Sequence, residues 1–431
     1  MGSYIRGEDA SSSYKVLIAG CSYAGLSAAV NLLEQCDNTD SPIPVDVTIV
    51  DERDGFYHLI GSPLALAVKE YSEKAWVEFK DIKVLQRPNV RFIQGALSRV
   101  DPANKTATIV SDRPAHATTH QEKYDFFLAA TGLRRQWPVV PQSLSRKLYL
   151  QEAGRHIDAV TQSTAPVLVV GGGAVGIEMA AELKVSQPHV NVTLAHSRDK
   201  LLSSEPLPDA AKECARDLAA ESGVEVLLNH RLASAKPKTR GGSGEGEGEG
   251  PYEYDVEFEN GHRMVASEVI TAISRSVPST VFLPREALSA DGYVNVRPTM
   301  QFETGTGAGA GATVPNADAH FASGDLINWS GIKRCGAAMH EGKLAALNMH
   351  QLMLRERERR REGEGEGGGH EPVFQKLGEI PPMIGLAVGR TAMSCGPDGM
   401  DYGPEVMRTF FGDDLGFKIC WDHLRLGGIK A

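Results

Sequence analysis

The order of apolar and polar positions is the same in two parts of the chain: a short apolar run, a glycine-rich turn, then an alanine-rich segment. The first copy begins at Lys15 and the second at Pro166. A further β-branched run follows each copy, at Val45–Val50 and at Val190–Ala195. Strands that are apolar throughout and alternate with helices pair in parallel, so each copy predicts the core of a doubly wound α/β sheet.

The two units begin about 150 residues apart, and the chain of 431 residues is longer than a single hydrophobic core normally supports. They predict two Rossmann-like three-layer α/β domains, the first interrupted by the second, followed by a small C-terminal α+β module. The predicted divisions are a flexible N-terminus (1–13), a first nucleotide domain (14–135 and 295–354), an inserted second one (136–294), a linker (355–370) and the C-terminal module (371–431).

Three low-complexity stretches interrupt this pattern, at Gly241–Gly250, Gly305–Gly311 and Arg355–Gly369. Their composition cannot bury a core, so we expect surface loops. The runs Tyr254–Phe258 and Met264–Ala272 have the composition of strands, which places the first stretch at a hairpin tip in the second domain.

The first glycine turn reads Gly20-Cys-Ser22-Tyr23-Ala24-Gly25. Backbone N–H groups that converge at a helix N-terminus bind a pyrophosphate, and glycine lets the phosphates approach. Ser22 replaces the usual middle glycine. The next strand ends at Asp51, an acid in the position that binds ribose hydroxyls, although a solvated acid at a strand end is the alternative.

The second turn keeps all three glycines, Gly171, Gly173 and Gly176. Glu178 follows on the first turn of the helix, where a carboxylate serves either near a nicotinamide or in a purely structural role. The strand after this turn ends without an acid, in Ser197-Arg198. That pair suits the 2′-phosphate of NADPH, so the cofactor is NADPH or NADH, unless Arg198 is ordinary surface.

Two short apolar strands end in further glycine motifs. One closes in Thr131-Gly132, where the chain leaves the first domain, and the other in Gly324-Asp325. Both recur in flavoproteins that bind two dinucleotides, where the aspartate lies beside the FAD ribityl and pyrophosphate and a following helix points at the flavin.

Composition and charge argue against several classes of partner and site. A formal net charge of −10 argues against nucleic acid. The six cysteines have no C-x-x-C spacing, which counts against a zinc site and against closely spaced redox thiols. No apolar run reaches the roughly 18 residues of a membrane-spanning helix. We expect a cytoplasmic protein; peripheral membrane contact stays open, because Arg6 breaks a start that otherwise resembles a myristoylation signal.

Taken together, these motifs resemble the pyridine nucleotide-disulphide oxidoreductase class. Within it the chain is most similar to the branch of apoptosis-inducing-factor homologues and ferroptosis suppressors, relatives of type II NADH dehydrogenases. The segments Val192–Arg198 and Asp51–His58 carry the likeness to that branch.

The resemblance implies non-covalent FAD, a nicotinamide donor and a quinone-like or other small acceptor. It implies that FAD contacts Gly20–Gly25, Asp51, the backbone near Leu97, and Asp325, and that the nicotinamide cofactor lies on Gly171–Glu178 and Ser197-Arg198. Arg53, His58, Thr131, Gly132 and Gly324 are further predicted cofactor contacts. An arginine frequent in the family is replaced by Leu64, and Lys333 lies near the Gly-Asp motif with altered spacing.

The sequence therefore predicts an FAD-dependent NAD(P)H oxidoreductase with Glu178 and Lys333 as catalytic candidates. Glu178 would order the nicotinamide, and Lys333 would stabilise negative charge on reduced flavin. Two alternatives stay open: a biosynthetic flavin oxidase or dehydrogenase acting on a bulky aromatic substrate, and an FAD-binding signalling protein with little turnover.

Overall fold

The computed structural model of the protein describes residues 13–38, 42–113, 116–238, 253–273, 276–304, 313–362 and 371–427. The strands are β1 (Tyr14–Ala19), β2 (Val45–Asp51), β3 (Gly55–Tyr57), β4 (Trp76–Glu78), β5 (Val90–Gln94), β6 (Ala96–Asp101), β7 (Thr106–Arg113), β8 (His116–Lys123), β9 (Phe126–Ala129), β10 (Leu133–Arg134), β11 (Val167–Val170), β12 (Val192–Ala195), β13 (Glu225–Leu227), β14 (Leu232–Lys238), β15 (Glu253–Phe258), β16 (Arg263–Ala266), β17 (Glu268–Thr271), β18 (Val277–Pro278), β19 (His320–Ala322), β20 (Ile384–Val388), β21 (Thr391–Gly396) and β22 (Gly399–Gly403). The α-helices are α1 (Tyr23–Asp37), α2 (Ser62–Ala65), α3 (Lys69–Lys74), α4 (Arg146–Thr161), α5 (Ala174–Ser186), α6 (Asp209–Glu221), α7 (Cys335–Glu362), α8 (Pro404–Phe410) and α9 (Phe417–His423).

The first domain is built on a parallel sheet of order β19-β9-β1-β2-β5. Ile18 of β1 pairs with Ile49 of β2 on one side and with Leu128 of β9 on the other. Helices α1 and α7 pack together on one face, and the antiparallel sheet β6-β7-β8 covers the other. The inner strands of the parallel sheet are therefore mostly buried and apolar, whereas the edge strand β5 has exposed Arg91 and Gln94.

The second domain repeats this design with a parallel sheet of order β13-β12-β11-β17. Helices α5 and α6 lie against this sheet, and the antiparallel sheet β14-β15-β16 packs through a separate apolar cluster. Strand β10 pairs with β18, so the two passages of the chain between the domains run side by side. The predicted interrupted pair of Rossmann-like domains is confirmed.

The C-terminal module consists of the antiparallel sheet β20-β21-β22 with helices α8 and α9. Strand β20 packs on α5 of the second domain. Helix α9 reaches the first domain, where Trp421 packs against Phe56 and the nearby Arg425 binds Glu34 of α1. The module therefore contacts both nucleotide domains.

The structure tests two of the predictions about the low-complexity stretches. Strands β14 and β15 pair in antiparallel fashion, so the hairpin that flanks Gly241–Gly250 is confirmed, although its tip lies outside the described residues. The prediction that the linker begins at residue 355 is wrong, because α7 continues to Glu362. An ion pair between Glu356 and Arg360, one turn apart, supports this extension, and Arg360 lies 5.0 Å from the ring centroid of Tyr14.

The stretch Gly305–Gly311 and residues 1–12 and 363–370 also lie outside the described part of the chain. Among the helices that are described, none combines the length and the apolar character needed to cross a lipid bilayer.

Candidate functional site

The first glycine turn joins β1 to α1 with almost no free space. A Cβ atom on Gly25 would lie 1.9 Å from the carbonyl oxygen of Gly20, and Gly20 itself has φ +93°. Only glycine fits both positions, because the helix starts in direct contact with the strand. Ser22 occupies the N-cap of α1, yet its side chain makes no capping hydrogen bond.

Asp51, at the end of β2, lies beside this turn. Its Oδ2 accepts a hydrogen bond from the backbone N–H of Cys21 at 2.7 Å, and its Oδ1 accepts one from Arg53 at 2.9 Å. Burial raises the pKa of Asp51, and Arg53 opposes that shift. The prediction that Asp51 is near the pyrophosphate turn agrees with this geometry, while its contact with a ribose stays a prediction.

The backbone of Leu97 is close to the same place. The turn before β6 contacts Asp51 directly, since Gly95 donates its N–H to the Asp51 carbonyl at 2.8 Å. Leu97 follows within β6, paired with Ile109 and almost fully buried. Its predicted FAD contact would therefore be a backbone contact.

Arg53 and Ser323 each have a buried polar atom for which the described part of the chain provides no hydrogen-bond partner. The guanidinium of Arg53 donates to the carbonyl of Pro141 at 3.1 Å, but its Nε has no hydrogen-bond partner among the described residues. The same holds for the hydroxyl of Ser323, which is fully buried next to Gly324. Such groups are costly unless something satisfies them, so both fit a polar ligand.

His58 is fully buried, and both of its ring nitrogens have protein partners. Nε2 lies 3.0 Å from the carbonyl of Leu415, and Nδ1 lies 3.1 Å from the hydroxyl of Tyr23. Nε2 must therefore donate and Nδ1 accept. Burial lowers the pKa of His58 to about 4, which keeps the ring neutral at physiological pH. The imidazole connects α1 with the C-terminal module, and contact with a cofactor remains a prediction.

Thr131 and Gly132 lie where the chain leaves the first domain. The hydroxyl of Thr131 donates to the carbonyl of Ser279 at 2.7 Å, and the N–H of Ser279 donates to Gly132 at 3.0 Å. These bonds fasten the outgoing strand β10 to the returning strand β18. The motif is thus part of the connection between the domains.

Asp325 is held by a residue that the sequence analysis missed. Its Oδ2 accepts a hydrogen bond from Arg135 at 3.1 Å, and both side chains are mostly buried. Glu341, on α7, accepts the N–H of Gly324 at 2.7 Å, and burial raises its pKa to about 7. The predicted helix after Gly324-Asp325 exists but begins only at Cys335.

Lys333 lies in the segment between Asp325 and α7. Its ammonium donates to the carbonyl of Ile327 at 2.7 Å and lies 5.7 Å from the ring centroid of Tyr293. Burial lowers its pKa, while Glu341 and Asp325 act in the opposite direction. Lys333 therefore adds positive charge beside the Gly-Asp motif.

The second glycine turn has the same construction as the first. A Cβ on Gly176 would lie 1.8 Å from the carbonyl oxygen of Gly171, whereas one on Gly173 would meet nothing within 4 Å. Gly173 is the N-cap of α5. Its open surroundings leave room for a pyrophosphate at the start of the helix.

Glu178 and Glu182 share one face of α5, and this face contacts the C-terminal module. Glu178 accepts the N–H of Ala387 at 3.2 Å, and Glu182 accepts the N–H of Gly389. Burial raises the pKa of each carboxyl to about 8. Glu182 is 5% exposed, and its Oε1 has no hydrogen-bond partner among the described residues. Burial therefore favours the protonated form of both carboxyls.

Ser197 and Arg198 follow β12, next to His196. The N–H of Gly172 donates to Nδ1 of His196 at 3.0 Å, which ties the end of this strand to the glycine turn. Arg198 is exposed. Burial lowers the pKa of His196, and the charges of Arg198 and Arg231 add to that shift. Two guanidinium groups thus lie near the end of β12, and the prediction that Arg198 binds a 2′-phosphate stays a prediction.

Cys335 interacts electrostatically with residues of both domains. Cys335, the first residue of α7 in the first domain, is close enough to raise the pKa of Glu178 in the second. It also raises the pKa of Tyr23 at the start of α1. The start of α7 is therefore near enough to both Glu178 and the start of α1 for their charges to interact.

Sequence reasoning missed four polar residues here: Arg135, Glu182, Ser323 and Glu341. The spacing of Glu182 from Glu178 along a predicted helix was a usable signal, because residues four apart share a face. Arg135 and Glu341 reach the site through long-range contacts that no local pattern reports.

Comparison with known proteins agrees with this architecture. The model of the family described as pyridine nucleotide-disulphide oxidoreductase matches residues 14–342. The oxidoreductase OXR1 of Ajellomyces capsulatus is 43% identical over 434 residues, which cover 96% of this chain and 88% of that protein. Human ferroptosis suppressor protein 1 is 26% identical over 234 residues, covering 54% of this chain and 57% of that protein.

Two solved structures have a similar fold. The water-forming NADH oxidase from Lactobacillus brevis, with NADH bound, gives a TM-score of 0.63 at 17% identity and covers 89% of this chain and 75% of its own. The NAD-dependent persulfide reductase from A. fulgidus gives 0.62 at 17% identity and covers 88% of this chain and 63% of its own. At such identity the likeness concerns the fold.

Proposed function

Because the chain belongs to the pyridine nucleotide-disulphide oxidoreductase family, we propose that it is an FAD-dependent oxidoreductase that transfers two electrons from NAD(P)H to a quinone-like acceptor. The observation that carries this proposal is that each parallel-sheet domain has a strand–turn–helix unit closed by two glycines, Gly20 with Gly25 and Gly171 with Gly176. One domain would hold a flavin and the other the nicotinamide that reduces it.

The residues at the first site fit FAD. The turn from Gly20 to Gly25 leaves backbone N–H groups at the start of α1, and Asp51 lies beside it. The Nε of Arg53 and the hydroxyl of Ser323, which have no hydrogen-bond partner within the described residues, offer donors to a polar ligand. When bound, FAD supplies a ring system that accepts and releases an electron pair.

The residues at the second site fit NAD(P)H. Gly171, Gly173 and Gly176 form the pyrophosphate turn, and Ser197 with Arg198 would bind the adenine ribose or its 2′-phosphate. We assign to Glu178 the ordering of the nicotinamide. Lys333 would contribute positive charge near the electron acceptor, together with Arg135.

A quinone is the acceptor implied by the resemblance to type II NADH dehydrogenases, and its chemistry suits this site. A hydride carries two electrons and one proton, so forming a quinol requires one further proton. Burial raises the pKa of Glu178 to about 8, which favours its protonated form at neutral pH, and the carboxyl accepts a hydrogen bond from Ala387. It is therefore placed to supply that proton as well as to order the nicotinamide.

Anaerobic mixing tests the proposal. The purified flavin-loaded protein is mixed with NADPH or NADH, the visible flavin absorbance is followed, and a soluble quinone is then added. We expect rapid bleaching and recovery that depends on the quinone. Bound flavin that neither nucleotide bleaches would overturn the reductase proposal and favour a binding protein. Bleaching without recovery by quinone would retain the reductase and reject this acceptor.

A further inference from the structure

His196 and Asp51 occupy the same position in the two nucleotide domains. In the first sheet, Val50 is the last residue of β2 that pairs with β1, and Asp51 follows it. In the second sheet, Ala195 is the last residue of β12 that pairs with β11, and His196 follows it. Each of the two residues therefore stands at the end of the strand next to the glycine turn of its domain.

Both residues bind the same backbone group of that turn. Oδ2 of Asp51 accepts the N–H of Cys21, the second residue of the first turn, at 2.7 Å. Nδ1 of His196 accepts the N–H of Gly172, the second residue of the second turn, at 3.0 Å. The two domains thus fasten their glycine turns in the same way, one through a carboxyl group and the other through an imidazole.

The hydrogen bonds of His196 determine which of its ring nitrogens carries a proton. A backbone N–H only donates, so Nδ1 accepts with its lone pair. The proton of the neutral imidazole is then on Nε2, which lies 2.9 Å from Oγ of Ser203 and donates to it. His196 is therefore a neutral acceptor, whereas the side chain at the equivalent position of the first domain is an acid.

The loop that follows His196 encloses the second residue of the turn. Gly172 is buried, and its carbonyl accepts the N–H of Leu202 at 2.7 Å. A Cβ on Gly172 would lie 2.4 Å from Leu201 and 2.8 Å from His196. Leu202 has φ +52°, a conformation that leucine adopts only where surrounding contacts hold it. The loop therefore holds Gly172 on both sides, and the exposed Gly173 stays accessible to a ligand.

The charge at the position of His196 bears on which dinucleotide fits. An acid at the end of this strand accepts the ribose hydroxyls of NADH and repels the 2′-phosphate of NADPH. His196 provides the hydrogen bond to the turn without that negative charge. Ser197 and Arg198 follow in the same loop, and neither is acidic.

We propose that His196 is a specificity-determining residue of the nicotinamide site: it positions the pyrophosphate turn through Gly172 and, being neutral, admits the 2′-phosphate of NADPH. The inference rests on the proposed function in that NAD(P)H binds at the second turn. A role of His196 in folding alone would affect both nucleotides equally, whatever residue replaced it.

An acid at position 196 tests the effect of charge in the flavin-loaded protein. His196→Asp keeps an acceptor for the N–H of Gly172, as Asp51 does for Cys21, and adds a negative charge. Isothermal titration calorimetry gives the dissociation constants of NADP⁺ and NAD⁺. We expect their ratio, NADP⁺ over NAD⁺, to rise by about tenfold or more. The corresponding change in the reductase assay should fall on the KM for NADPH rather than on kcat.

Two neutral variants test the hydrogen bond to the turn. His196→Ala leaves the buried N–H of Gly172 without its acceptor, so both dissociation constants should rise by about tenfold while their ratio stays constant. His196→Asn, whose Oδ1 can replace Nδ1, should recover most of the lost affinity. The matched control is His189→Asp, which adds the same charge at an exposed position before β12 and should change neither constant.

An unchanged ratio in His196→Asp, or wild-type affinity for both nucleotides in His196→Ala, overturns the inference, as does a loss in His196→Ala that His196→Asn does not recover. If His196→Asp fails to retain flavin, His196→Glu supplies the same charge and its ratio decides. Failure of the proposed function is a separate result, because the flavin of the wild-type protein would then be bleached by neither nucleotide.

Discussion

Glu178 and Glu182 lie one turn apart on α5, and each accepts a backbone hydrogen bond from the end of β20 or the residue after it. The C-terminal module therefore contributes a backbone N–H group to each of the two carboxyls. Burial makes the ionised form of each carboxyl costly. Docking of the module therefore favours the protonated form of both, and their ionisation would weaken that docking.

Replacing Glu178 by glutamine should abolish one limb of the pH profile. The wild-type rate of quinone reduction should fall as the pH rises through about 8, because Glu178 loses its proton there. The variant should be slower by about 10²-fold or more and lack this limb. Stopped-flow traces across this range provide the measurement, and a variant that keeps both rate and profile contradicts a role for the carboxyl.

Replacing Glu182 by glutamine should stabilise the protein at alkaline pH. The folded-state pKa of about 8 lies above the ordinary value of 4.5, so the folded state binds more protons between these values. Stability is therefore full below the ordinary value, is lost as the pH rises towards 8, and levels off above it. The gain in Tm over wild type should grow by several degrees across this window.

Thermal unfolding at pH values near each end of the window measures this gain. The matched control is Glu213→Gln, at an exposed position on α6. A Tm difference for Glu182→Gln that does not change with pH would show that this carboxyl titrates normally.

Alanine substitutions at the two glycine turns should each impair the binding of a different cofactor. Gly25→Ala places a Cβ 1.9 Å from Gly20 and should abolish retention of flavin during purification. Gly176→Ala creates the same collision with Gly171, so we expect flavin to be retained but bleaching by NAD(P)H to be lost. Gly154→Ala, with open space in α4, is the control and should stabilise by about 0.5–1 kcal/mol. Flavin retention in Gly25→Ala would contradict the assignment of the first turn.

Removing the carboxylate of Asp325 should weaken FAD binding. Asp325→Ala leaves the mostly buried Arg135 without its partner and removes a predicted ribityl contact. We expect a loss of at least about tenfold in flavin affinity, measured by fluorescence titration of the apoprotein. Asp318→Ala, which breaks an exposed ion pair with Arg297, should leave affinity unchanged.

Arg198 should discriminate between the two nicotinamide cofactors. If it binds a 2′-phosphate, Arg198→Ala loses a charged hydrogen bond worth about 1.5–3 kcal/mol. The KM for NADPH should then rise by about tenfold or more while that for NADH stays constant. Arg216→Ala, at an exposed position on α6, serves as the control. An equal effect on both cofactors would reject the phosphate contact.

The fold was predictable where chemistry is local. The turn from Gly20 to Gly25 follows from the contact between strand and helix that only glycine allows, and Asp51 ends β2 as expected. The helical part of α7 from Arg355 onward was not predicted, because its composition resembles a linker. Its stability comes partly from a contact with Tyr14, at the other end of the chain.

The candidate site was predictable only in part. Glycine motifs identify where phosphates bind, since they act through the backbone. The partners of the neighbouring residues come from remote segments: Arg135 binds Asp325, and Glu341 binds the N–H of Gly324. Side-chain pairs of this kind depend on the packing of whole domains, and a single sequence contains no periodic signal for them.

The order of strands in the first sheet also constrains how the protein is made. Its outermost strand β19 and its second helix α7 are encoded after the whole inserted domain. A ribosome that adds roughly 5–20 residues per second must therefore complete the insertion before the first sheet can close. The inserted domain, although it is the later one in the sequence, is complete first. Capture of FAD is consequently a late event in biosynthesis, and premature termination within α7 would release a chain with a finished nicotinamide domain and no finished flavin domain.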